Sequence, residues 1–358
     1  MAPKTEALDI MANATSFGLW FYLTPHSGAI DTALMPIFFF CLVSLIAPFP
    51  IYADSSWPQK MTDFNYTADN LSEHWQTLTG GFRGPLPSGS WIETSAAQWP
   101  MLEAATRMHL VTLADSHPYI AEGLEADEKE QYGRYAHQLR ETWALIFNGQ
   151  LQRASELGLS LGAGGYYPAL YAQALRATLT EQAPAQRRVL LEEIIHRTDE
   201  LLDIAPHHPT IRFGNAYAKA RVLETLSVTE ALSSGYTSEV LSTLDRLLSE
   251  NPNHIYAMTL YGGVHAGIVD KAGKLMAKLS YGATPASVQD KFERALSLDP
   301  DSAAIRFEYA KALLKVGDRS GRKVAKAHLE KTANLVPASA EQALYVDAAK
   351  RALASFKD

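Results

Sequence analysis

From about residue 185 onward, apolar positions recur at helical spacing, and each apolar stretch is closed by a proline. The prolines stand at 206, 252, 300 and 337. Ahead of them the same steps repeat: Ile194, Thr198, Leu201; Val240, Leu244, Leu247; Val288, Phe292, Ala295; Ala325, Leu329, Thr332. Steps of four and three keep such side chains on one face of a helix. A proline five residues further on stops the helix and allows another to start beyond a short turn. This pattern predicts helices over 167–179 and 185–204, 210–226 and 239–249, 255–279 and 286–298, and 303–316 and 322–335. A last helix over 340–355 caps the series. The proline intervals are 46, 48 and 37 residues, so the loops inside the pairs must differ in length, as SVTEALSSGYTS and YGATP do. One internal match is direct: Ile211-Arg212-Phe213 and Ile305-Arg306-Phe307 each begin five residues after a proline and lead into Tyr-Ala-Lys-Ala.

Upstream the pattern loosens. Residues 127–160 read as one long helical stretch with Leu139, Trp143, Ile146 and Phe147 on its apolar side. Residues 100–115 have helical spacing, and Pro118 ends them. Residues 54–98 are rich in Gly, Pro, Ser and Trp and read as an irregular arm, lying on the body through Trp75, Trp91 and Trp99. The expected organisation is a leader over 1–53, an irregular N-terminal arm with one helix over 54–125, and a helical repeat domain over 126–358.

Val288, Phe292, Ala295 and Pro300 resemble the second-helix pattern of tetratricopeptide repeats, and the other three sets reproduce its steps with weaker residues. The resemblance covers about 185–337. It implies an all-α fold of stacked antiparallel helical hairpins, a TPR-like α-solenoid. Across 261–350, the order of a Gly-containing helix, a Tyr-Gly-x-x-Pro loop and a Phe-x-x-Ala-Leu helix is similar to the tetratricopeptide family of microtubule-dynamics regulators. The same region is also similar to the helical T-component that accompanies certain tripartite periplasmic transporters. Neither likeness carries a catalytic residue to transfer. In this repeat class the first helices line a concave groove, and on that register Phe213, Tyr217, Arg221, Tyr256, Thr259, Phe307, Lys311 and Lys315 face it. The reading expects Tyr217, Arg221 and Lys311 to be exposed there. Aromatics interleaved with cations would suit an extended peptide or an acidic terminus. The alternative is that Phe213 and Phe307 are core between repeats.

Composition narrows the classes further. Of 358 residues, 47% are hydrophobic and 20% charged, as in globular chains. The net charge is −7, with −2 of it in the first 53 residues. A mildly acidic body without a basic block argues against nucleic acid, which needs clustered Lys and Arg to displace counterions. Near the N-terminus, PIFFFCLVSLIAPFPIYA over 36–53 holds an apolar core, Ile37 to Ala47, too short to span a bilayer as a helix. It suits the apolar region of a secretory signal, with cleavage between Ala53 and Asp54. No Lys or Arg lies between Lys4 and Lys60, and a start at Met35 would place the core at the beginning. The expected location is periplasmic or otherwise exported. An uncleaved interfacial or membrane anchor, or a cytoplasmic chain with a buried apolar arm, is the alternative. Cys41, the one cysteine, lies in this segment, so a mature chain would have no thiol chemistry.

No motif for catalysis emerges. GGFRGPLPSG lacks the Gly-Lys-Ser/Thr ending of a phosphate loop, and no Gly-x-Ser-x-Gly elbow occurs. Glu192, His196 and Glu200 share a helix face with Arg188 and Arg197 nearby, which reads as charge pairing rather than a metal site. The expectation is a non-catalytic scaffold, with no cofactor or metal, that binds a protein or peptide in its groove. The second reading is a ligand-handling accessory of a periplasmic transport system. A deep closed pocket would favour the second, an open groove the first. Gly262, Gly263, Gly267 and Gly273 fall within one predicted helix, where each costs about 1 kcal/mol against alanine. Close packing against a neighbour, or space left for a ligand, would offset that.

Overall fold

The structure, a computed structural model, describes residues 63–114, 118–317 and 319–356. The leader segment, with Cys41 and the Ala53/Asp54 cleavage site expected for it, lies outside the described residues. Among the described residues the chain forms sixteen α-helices and no strand. Where the sequence reading expects an irregular arm with one helix, there are four: α1 (Leu71–Thr79), α2 (Gly89–Gln98), α3 (Pro100–Ala114) and α4 (Pro118–Glu125). The first two are short and polar, which hides them from a periodicity reading. Ser88 nevertheless marks the start of α2 by accepting the Trp91 amide. The stretch 127–160 is divided into α5 (Glu128–Phe147) and α6 (Leu151–Ser160) by Gly149, whose φ of +83° no helix interior adopts.

Next come α7 (Tyr166–Leu175), which runs into a π-helical turn at Arg176–Thr180, then α8 (Pro184–Ile204) and α9 (Pro209–Thr225). A short α10 (Val228–Ser233), set by a capping box between Ser227 and Glu230, occupies part of the expected loop. The chain continues through α11 (Tyr236–Glu250), α12 (Ile255–Tyr281), α13 (Pro285–Leu298), α14 (Ala303–Val316), α15 (Arg319–Ala333) and α16 (Ala340–Ala354).

All twelve residues of the four repeated sets are buried; Val288, Phe292 and Ala295 are fully so. The prolines act as the pattern requires. Two residues after each stands the N-cap of the next helix: His208, His254, Ser302 and Ser339. Each side chain accepts a backbone N–H of the first turn, from Ile211, Ala257, Ile305 and Gln342 respectively. These bonds satisfy a donor that an uncapped helix would leave orphaned.

Tertiary packing then does something the linear pattern does not announce. Helices α5, α7, α9, α12, α14 and α16 touch one another in that order, and α16 returns to touch α5. Helices α6, α8, α11, α13 and α15 each pack against two consecutive members of that series. The closure is reinforced by Tyr66, whose hydroxyl donates to the Ala338 carbonyl at 2.6 Å and whose ring meets Phe147 edge-on. Arg140 of α5 straps the N-terminal segment down by donating to the Ala68 and Pro87 carbonyls. Trp75 packs edge-on against Trp143 at 5.6 Å.

Candidate functional site

The six helices in succession surround a cavity of about 1010 Å³. Each contributes to its wall, among others Trp143 from α5, Tyr171 from α7, Tyr217 from α9, Gly263 from α12, Ile305 from α14 and Tyr345 from α16. Most of the lining is aromatic or aliphatic, the character of sites that take small organic ligands.

One end is organised by Arg83. The loop that carries it, GGFRGP, turns through left-handed glycines at 80, 81 and 84. Arg83 reaches the first turns of α12 and α16: its Nε donates to the Tyr256 hydroxyl at 3.3 Å, and Nη2 donates to the Glu341 carboxylate and, at 2.6 Å, to Tyr171. Tyr171 in turn donates to the same Glu341 oxygen at 2.5 Å. The guanidinium lies 4.5 Å from the centre of the Tyr171 ring. Arg83 and Glu341 are buried, with 5% and 8% of their side chains exposed. Burial alone would favour a neutral guanidinium, but the Glu341 carboxylate more than offsets this and holds Arg83 charged. Burial also pushes the Tyr171 and Tyr167 hydroxyls well above the usual phenol range.

The other end holds a second ionic network, between the last turn of α9 and the inner face of α14. Arg221 bonds Glu308 at 2.9 Å and Glu224 at 3.2 Å; Lys315 bonds Glu224 at 3.2 Å; Lys311 bonds Glu308 at 3.2 Å. Burial works against the Glu308 carboxylate, yet Arg221 and then Lys311 hold it below the ordinary range. Lys271 of α12 donates to the Leu223 carbonyl at 2.8 Å and to that of Leu226, closing the C-terminus of α9. Tyr256 and Lys271 are roughly 22 Å apart along α12 at 1.5 Å per residue, and Tyr345 lies within electrostatic range of both networks.

Of the residues assigned to a groove from sequence, Phe213, Tyr217, Arg221, Tyr256, Thr259 and Lys315 line this cavity. Phe307 does not: it is buried beside Tyr345, with ring centres 6.0 Å apart. Lys311 lies outside the lining and pairs with Glu308. The expectation that Arg221 is exposed is corrected: its side chain is 10% exposed because two carboxylates enclose it. Sequence reasoning missed Arg83, Glu341, Glu224 and Glu308. Glu308 stands one turn before Lys311 on the same helix and was legible as a partner. Arg83 and Glu341 are 258 residues apart, and no local signal joins them.

The glycines of α12 divide between the two readings open to them. A Cβ on Gly262 would stand 2.6 Å from the Phe292 ring, so that glycine admits a neighbour. A Cβ on Gly263 or Gly267 would meet nothing within 4 Å, and both positions line the cavity. Gly273 has φ +77° and breaks the helix near one end of it. On the outer surface, Glu192 pairs with Arg188 at 2.7 Å and His196 lies 3.4 Å from Glu200.

Comparison with protein-family models, with curated proteins and with solved structures finds no match for this chain.

Proposed function

We propose that this protein is a non-catalytic binding protein that takes an elongated ligand into the cavity between its inner helices. The fold in this reading is a TPR-like array of helical hairpins whose last inner helix meets its first. One observation carries the proposal: six of the residues that a groove would expose to a partner line one ringed, mostly apolar cavity of about 1010 Å³. A folded partner or long peptide laid along an open concave face would require α16 and α5 to stand apart, and they touch. The ligand-handling reading is therefore preferred over the peptide scaffold. Export, read from the apolar run ahead of Asp54, is kept as part of the proposal; N-terminal sequencing of the native protein tests it.

The functional test uses a neutral apolar dye, N-phenyl-1-naphthylamine. Saturable binding with enhanced fluorescence is expected. A Gly263→Leu, Gly267→Leu double variant places two side chains in the cavity and should weaken binding about tenfold or more, with no loss of stability in urea. Equal binding by both proteins would place the ligand elsewhere and overturn the proposal.

A further inference from the structure

The two ends of the cavity differ in charge balance. At the Arg83 end one guanidinium faces one carboxylate, so the charges balance there, although Nη1 of Arg83 is buried with no hydrogen-bond partner. At the Arg221 end three cations, Arg221, Lys311 and Lys315, share two carboxylates, Glu224 and Glu308. Lys271, beside them, donates to the Leu223 and Leu226 carbonyls and lies within electrostatic range of the Glu230 carboxylate, so it adds no surplus charge. A cation held away from water is costly unless an anion compensates it. Arg221 is nine-tenths buried, and its Nε has no hydrogen-bond partner. Lys315 lines the cavity and uses one of its three donors, on Glu224. Within these ion pairs the cations outnumber the carboxylates by one, and Lys315, with 29% of its side chain exposed, holds that surplus on a wall that a ligand can reach and that also carries Asp270.

Between the two ends the lining is apolar and has been left wide. Phe213, Tyr217, Leu260, Val264 and Ile268 face the cavity, and Gly263 and Gly267 keep the wall of α12 clear beside them. An apolar passage ending in surplus positive charge matches a molecule with one acidic head and one long tail.

Resting on the cavity reading above, we infer that the Arg221–Lys315 end is an acid-recognition subsite and that the ligand is an acidic amphiphile. Its single carboxylate or comparable anionic head docks beside Lys315 and Arg221, and its apolar tail runs along Gly267 and Gly263 toward Arg83.

Isothermal titration of the purified chain at low salt with decanoate, decan-1-ol and decylammonium tests this. The three share a tail and differ in the head. Decanoate should bind about tenfold more tightly than decan-1-ol, the value of one charge-assisted contact. Decylammonium should bind most weakly. Lys315→Met should remove the preference for the acid while leaving the alcohol unchanged, and Lys315→Arg should restore it. Lys311→Met, outside the lining but in the same charge network, gives a second reading if Lys315→Met folds poorly, and should narrow the preference. Equal affinities for acid and alcohol, a preference for the amine, or an acid preference that survives both substitutions would overturn the subsite while leaving the cavity reading intact. Failure of all three ligands and of the neutral dye would sink the cavity reading, and the subsite with it.

Discussion

Adjacent glycines in α12 offer a test in which the sign of the effect, rather than its size, carries the answer. Replacing a helix-interior glycine by alanine gains about 1 kcal/mol from backbone propensity wherever the new methyl group finds room. At Gly263 nothing lies within 4 Å of the added carbon. Gly263→Ala should therefore stabilise the fold by about 1 kcal/mol, and Gly267→Ala should behave alike. At Gly262 the added carbon meets Phe292 at 2.6 and 2.7 Å. That ring is fully buried and stacked on Tyr309 with 4.8 Å between centroids, so it cannot easily yield. Overpacking of this kind costs about 1–3 kcal/mol. The propensity gain offsets part of it, leaving Gly262→Ala neutral to about 2 kcal/mol destabilising. Urea melts with a common slope read the difference directly as a change in midpoint. A stabilised Gly262→Ala, or a Gly263→Ala that loses more than about 0.5 kcal/mol, would refute the assignment of one glycine to packing and its neighbour to open space.

Three further outcomes follow from the packing and the charges. Phe292→Ala should cost about 3–5 kcal/mol in the same melts, because it empties a site closed by Gly262 and Tyr309; a loss under about 1 kcal/mol would contradict that burial. Arg83→Met or Glu341→Met alone should cost about 3–5 kcal/mol by stranding the partner's buried charge, while the double variant should cost less than either; additive losses in a double-mutant cycle would show that the two groups are not coupled. Burial lowers His208, His265 and His328 to about 4, so the folded state keeps them neutral while the unfolded chain protonates near 6.5. Their contribution is complete above about pH 6.5 and is lost as pH falls toward 4; a melting temperature that stays flat between pH 7 and 4.5 would refute this.

The repeated sets ahead of Pro206, Pro252, Pro300 and Pro337 were legible in the sequence, and so were the eight helices they delimit. Helix stops, N-caps and buried faces depend on residues within one or two turns of each other, and the chain carries that information locally. His208, His254, Ser302 and Ser339 belong to this class: the same offset from proline places each at a cap. His208 and His254 are caps because Nδ1 of each accepts a backbone N–H from the first turn of the helix that follows. The short helices α1 and α2 escaped because their apolar residues are too few to mark a period. The Asn148–Gly149 break was visible in type but outweighed by the helical run around it.

The site was decided at another level. Whether an array of helical pairs stays open or meets its own beginning depends on small rotations between neighbours, summed over the whole series, and no single segment encodes the sum. That closure turns a predicted groove into a cavity. It seats Arg83 of a glycine-rich loop against Glu341 of the last helix, and it brings Glu308 to Arg221, a cation expected to be exposed. The sequence could say which residues share a helix face. Only the tertiary structure could say what lies opposite that face, because burial, charge pairing and cavity width are properties of pairs of elements, and the pairs that matter here are up to 258 residues apart.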